Sequence, residues 1–126
     1  MRKLACAIMA LSIGSAAGAQ NMNAEVFHKR ATALQKKGAM AIFSGGEIKV
    51  LTNEGKAAAA KARELRLATV KAGQKPRFCP PEGKHSLRSD EFMTRLEAIP
   101  LAERARIDMT EAMTRILIQK FPCPAG

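Results

Sequence analysis

Tryptophan and tyrosine are missing from this chain, and phenylalanine occurs five times. Those two absent side chains are the usual anchors of protein interfaces and, with phenylalanine, the platforms on which unpaired bases stack. Their absence argues against a single-strand groove built on stacking. Histidine is equally sparse. His28 and His85 are the only two, neither has a second histidine at zinc-ligand spacing, and no HExxH is present. Each reads as a surface or packing residue. No CxxC occurs, which removes the redox motif and the four-cysteine metal site. No serine stands in a GxSxG elbow. Ser44-Gly45-Gly46 lacks the GxxxxGK[ST] pattern of a phosphate loop. A small hydrolase would need a constellation that the residues do not supply. The expectation is a protein that is not an enzyme and uses no cofactor and no metal.

The first twenty residues read as an export signal. Arg2 and Lys3 form a positive n-region, Leu4 to Ile13 a short apolar run, and Ala17-Gly18-Ala19 a small-x-small cleavage pattern. Cleavage after Ala19 leaves 20–126 as one domain. The competing reading is a transmembrane anchor, but the apolar run is shorter than the roughly 20 residues a span needs. A lipid anchor on Cys6 would need an apolar segment before the cysteine, and only Leu4 and Ala5 stand there. The expected location is the periplasm, reached through a cleaved signal peptide.

Carboxylates are scarce: 11 Asp and Glu stand against 21 Lys and Arg. Removing Arg2 and Lys3 leaves 19 basic residues and a net charge of +8. Residues 20–88 hold 14 basic and 5 acidic side chains, whereas 89–126 hold 5 and 6. A basic first half favours an acidic partner, anionic lipid headgroups or an anionic envelope polymer. A solvated, lysine-rich surface accounts for the same charge. Nucleic acid is not expected in an exported protein.

The spacing of apolar residues predicts an all-α domain of about four helices. Asn23 is a plausible N-cap for a helix over 24–37, with Val26, Phe27, Ala31 and Leu34 recurring and Gly38 at its end. Ala39 to Phe43 reads as a buried continuation or short helix. Glu47 to Leu51 alternates polar and apolar residues, which suits an extended segment. Thr52 or Asn53 then caps a helix over 54–72 that is rich in alanine and leucine. Ala58, Ala62, Leu65 and Ala72 share its packing face, while Arg63, Arg66, Leu67 and Val70 point elsewhere. Gly73 ends it. Ser89 is the expected N-cap of a helix over 90–98 that buries Phe92, Met93 and Leu96. Pro100 breaks that helix. The last helix, over 101–120, carries the stripe Leu101, Ala105, Met109, Ala112, Met113, Ile116 and Leu117. Met40, Met93, Met109 and Met113 read as fillers of core gaps. Arg104, Asp108, Glu111 and Arg115 follow at i+3 and i+4 spacings, the pattern of a surface ion-pair ladder rather than of paired catalytic carboxylates.

Phe78-Cys79-Pro80-Pro81 and Phe121-Pro122-Cys123-Pro124 frame the second half of the chain. With Cys6 removed, Cys79 and Cys123 are the only cysteines left, and export makes a disulfide between them reasonable. Two buried thiols are the alternative. Closing that span would contribute about 4 kcal/mol in the loop-entropy model. Between the helix over 54–72 and the one over 90–98 runs a basic, proline-containing loop, and loops carry function more often than core helices do. Lys75, Arg77, Lys84, His85 and Arg88 are therefore the candidate partner-binding residues.

The frame of Phe78-Cys79-Pro80-Pro81, Ser89, Pro100 and Ala112 through Phe121-Pro122-Cys123 resembles the Rap/Tai family of type VI secretion immunity proteins. About 50 residues carry the resemblance. It implies an exported, small helical protein that neutralises a peptidoglycan amidase delivered by rival cells, and a homodimer as one assembly to expect. The segment from Gly38 to Gly46 departs from that pattern, having neither tyrosine nor cysteine. A chain at +8 also asks for an acidic surface on any toxin it binds. A basic envelope-associated structural protein that binds anionic surface polymer is the alternative.

Overall fold

A computed structural model describes residues 21–125. The expected signal peptide, 1–19, lies outside the described residues. The domain is all-α, as its periodicity predicts. Its helices are α1 (Ala24–Lys36), α2 (Gly45–Lys71), α3 (Ser89–Ala98), α4 (Leu101–Arg104) and α5 (Met109–Lys120), with a 3-10 helix (Gly38–Ser44) joining α1 to α2. No described helix is long and apolar enough to cross a membrane.

The centre of the fold is the contact between α2 and α5. Ala58 and Ala62 are buried on α2. Their small side chains let α5 approach closely with Met109, Ala112, Met113 and Ile116, all of them buried. Phe27 of α1 closes one side, its ring meeting Phe92 of α3 edge-on at 5.6 Å. Edge-to-face contact is the geometry that ring quadrupoles favour. Leu96, Ile99 and Phe78 complete the core.

Several elements begin and end where the residues predict. Asn23 caps α1, its Oδ1 accepting from the N–H groups of Glu25 at 3.0 Å and Val26 at 3.1 Å. Gly73 follows α2 at φ +76°, a conformation that costs glycine little. Cys79 and Cys123 are joined in a disulfide with Cα atoms 4.8 Å apart. The bond ties the loop before α3 to the end of α5.

Five local expectations are corrected. The alternating segment Glu47–Leu51 is helical, and α2 starts at Gly45 with neither Thr52 nor Asn53 as a cap. Five residues of alternation also fit one helix face: Ile48 and Leu51, three apart, line the same trough. Glu47 accepts a forked pair of bonds from Arg30 of α1, both 2.6 Å, which ties this first turn down. Ser89 is the first residue of α3, and its side chain makes no capping bond. Along α2, Leu65 is half-exposed and Ala72 exposed, so the packed face is shorter than its alanine pattern suggests. The segment Ala39–Phe43 is not buried: Met40, Ile42 and Phe43 are 63%, 75% and 77% exposed. Met40 therefore fills no core gap.

The fifth correction concerns the last helix. It is broken between Arg104 and Met109, and Leu101 is exposed. Asp108 takes an extended conformation and caps α5, its Oδ1 accepting from Glu111 N–H at 2.9 Å. The break lets residues 22–24 pair with 107–109: Ala24 N–H donates to Ile107 O (2.9 Å) and Met109 N–H to Met22 O (2.7 Å). It also dissolves the expected ladder. Arg104 turns inward, where its Nε donates to Glu25 Oε2 at 2.7 Å and its Nη1 reaches the carbonyls of Glu97 and Ile99. Only the Glu111–Arg115 rung remains, at 3.2 Å.

Candidate binding face

The loop between α2 and α3 is held at several points. Cys79 is bonded to Cys123, and Cys79 N–H donates to Phe121 O at 2.8 Å. Lys120 at the end of α5 donates to Ser86 O at 2.9 Å and to Glu91 Oε2 at 3.0 Å. The His85 ring lies 5.0 Å from that of Phe121 and contacts Pro81 O. A loop tied this way presents its charges with little conformational entropy left to lose on binding.

One wall of a cleft of about 910 Å³ is this loop, with Lys84, His85, Pro80 and Pro81; the other is α2, with Arg63 and Arg66. Glu82 is the single carboxylate on the lining. The Arg66 guanidinium stands 5.7 Å from the Phe78 ring centroid, in cation–π range. Its Nε is buried without a hydrogen-bond partner among the described residues.

An apolar trough of about 510 Å³ continues from the cleft, sharing Ala59, His85 and Leu117 with it. Leu34, Ile48, Leu51, Met93 and Met113 are among its apolar lining residues, and Lys56 is its one lysine. The whole face is apolar at one end and cationic at the other. It suits a partner that presents carboxylates or phosphates beside an apolar side chain.

The structure brings only two of the five predicted partner-binding residues into this cleft, Lys84 and His85. Arg77 is turned to α5, where its two Nη atoms bind Glu111 at 2.7 and 2.8 Å. That fork raises the arginine's affinity for its proton and holds the Glu111 carboxyl below its ordinary value. Arg88 is exposed and lies 3.3 Å from Asp90. Lys75 is exposed in the turn after α2. Arg63 and Arg66 were missed as site residues. Their i, i+3 spacing on the side of α2 away from the alanine face was the available signal.

His28 is half-buried, 3.9 Å from Glu25 and 3.7 Å from Glu97. Among the described residues, no three His, Cys, Asp or Glu side chains gather where they could hold a metal ion. No protein-family model, curated protein or solved structure matches the chain.

Proposed function

We propose that this chain is an exported, non-enzymatic binding protein of the Rap/Tai type, which neutralises a peptidoglycan amidase by occluding its cleft. The observation that carries the reading is the Phe-Cys-Pro and Phe-Pro-Cys frame, together with the disulfide that fastens a cationic loop to the end of α5, across a cleft from α2. Occlusion needs a rigid projection rather than a reacting group, and the tied loop from Pro80 to Arg88 is such a projection. The partner surface would be acidic. The surplus of positive charge before residue 89 also favours a second reading, an envelope-associated protein that binds anionic surface polymer.

The deciding experiment uses any cell-wall amidase encoded beside this gene. Peptidoglycan hydrolysis is followed by turbidity while the exported chain is titrated in. Inhibition saturating near one chain per enzyme supports the amidase reading. Unchanged hydrolysis, with retention on anionic polymer, supports the second. Intact mass of the exported form tests the processing on which both depend, with a chain starting at Gln20 expected.

A further inference from the structure

The corner between α1 and α2 breaks the rule that large apolar side chains seek cover. Met40, Ile42 and Phe43 stand within four residues of one another, 63%, 75% and 77% exposed, and no other large apolar side chain on the described surface exceeds Leu101 at 61%. Scattered exposed leucines are ordinary, but three adjacent bulky side chains at a corner mark an interaction surface. The charge around the corner is one-sided. No Asp or Glu occurs from Val26 to Gly46. Lys36, Lys37 and Lys49, all exposed, flank the 3-10 helix on both sides. Glu47, the nearest carboxylate in sequence, is taken up by Arg30.

We infer that this corner docks the protein on an anionic lipid bilayer. Phe43, Ile42 and Met40 enter the boundary between headgroups and acyl chains, and the three lysines meet lipid phosphates. Charge complementarity selects the bilayer over a second copy of the chain, because two copies would bring like-charged lysine collars together. Shape supports the same choice. The three side chains differ in form (a thioether, a branched alkyl and a ring) and are exposed together on one short 3-10 helix, the tip of the corner. A fluid acyl layer accepts any apolar shape, whereas a protein pocket must be built to match. Apolar burial and attraction to anionic headgroups add in interfacial binding of this kind. The surface is distinct from the cleft of Lys84, His85, Arg63 and Arg66, and the inference does not depend on the amidase reading.

The chain's lack of tryptophan supplies the test. In Phe43→Trp the only indole sits at the tip. The exported chain carrying it is mixed with vesicles of phosphatidylglycerol and phosphatidylethanolamine, and with vesicles of phosphatidylcholine alone. The expected results are a blue shift and flotation with the anionic vesicles only. Removing Lys36, Lys37 and Lys49 as serine variants should weaken partitioning about fivefold for each lysine. Ile42→Ser with Phe43→Ser, in the chain without tryptophan, should weaken flotation by on the order of a hundredfold, from two bulky side chains withdrawn from the acyl boundary. Serine at Lys75, Lys84 and Arg88 should leave flotation unchanged. The inference is overturned by an unshifted indole, by flotation that survives the tip substitutions, or by a tip that mediates self-association in sedimentation without vesicle binding. Helical circular dichroism of each variant shows whether it is folded, and these exposed positions give no reason for it to unfold.

Discussion

Arg104 offers the sharpest test of how this small core is held. Its side chain and that of Glu25 are 7% and 10% exposed, and they pair at 2.7 Å across 79 residues of sequence. The same guanidinium also donates to the carbonyls of Glu97 and Ile99, which close the end of α3. Arg104→Ala would leave a buried carboxylate without its cation and two carbonyls without a donor. Removing one partner of a buried pair typically costs about 3–5 kcal/mol. About 3 kcal/mol, the low end of that range, is the working value. For a domain of this size that corresponds to a fall in Tm of roughly 10–25 °C. Glu25→Ala should cost less, because the guanidinium keeps two carbonyl acceptors. The double variant should cost less than the two singles together, by roughly 1–3 kcal/mol of coupling. Urea unfolding followed by circular dichroism gives all three values. A loss below about 1 kcal/mol for Arg104→Ala, with an unchanged slope, would mean that the pair adds little to stability. Stability would then rest on the apolar core and the disulfide.

Other perturbations test other joints. Cys79→Ser or Cys123→Ser should lower stability by about 2–5 kcal/mol, and the double variant should be no worse than either single one, since both remove one bond; thiol titration after unfolding should find no free thiol in the oxidised chain that starts at Gln20. Acid should destabilise the protein in a defined window. Arg77 holds the folded-state pKa of Glu111 below the ordinary 4.5, so the stability from this pair is present above pH 4.5 and is lost as pH falls through the lower folded value. Glu111→Gln should flatten that part of the pH–stability curve, and an unchanged acid limb would remove the fork from the account. Serine at Lys84, Arg63 and Arg66 should weaken capture of an acidic partner and leave helix content intact, with added salt weakening the wild type in the same direction; equal binding of variant and wild type at low salt would exclude the cleft.

The helical class, the cap at Asn23, the end of α2 at Gly73 and the disulfide were all legible, because each rests on local chemistry or on the cysteine count. The errors arose where a tertiary partner decided the local conformation. Glu47–Leu51 alternates like a strand, but the Arg30 fork and the trough beneath Ile48 and Leu51 make it a helical turn. Leu101–Lys120 has the period of one long helix. Asp108, read as a surface charge, caps a new helix because residues 22–24 pair with 107–109 at that point. Helical spacing puts Arg104 in a surface ladder, because spacing alone cannot reveal a carboxylate 79 residues away. The binding face was half legible. A basic loop is visible in sequence, but the arginines of α2 that complete its cleft are brought there by the packing of α2 on α5.

The failure at Ala39–Phe43 differs in kind from the others. No distant partner was overlooked there; the segment has the apolar residues for burial and is exposed nonetheless. In a folded domain, local rules that fail without compensation concentrate at sites kept for another purpose. The elements on either side of the corner obey their rules. Lys36 lies in the last turn of α1, where a cation meets the helix dipole favourably, and Glu47 lies in the first turn of α2, where an anion does. The conflict is confined to seven residues between two well-formed helices. If Met40, Ile42 and Phe43 only filled space, their replacement by serine would be neutral or stabilising, since water already covers most of each side chain. That same substitution should strip the protein from anionic vesicles. A variant with full stability and lost adhesion would assign the exposed apolar surface to function, independently of any partner at the basic cleft.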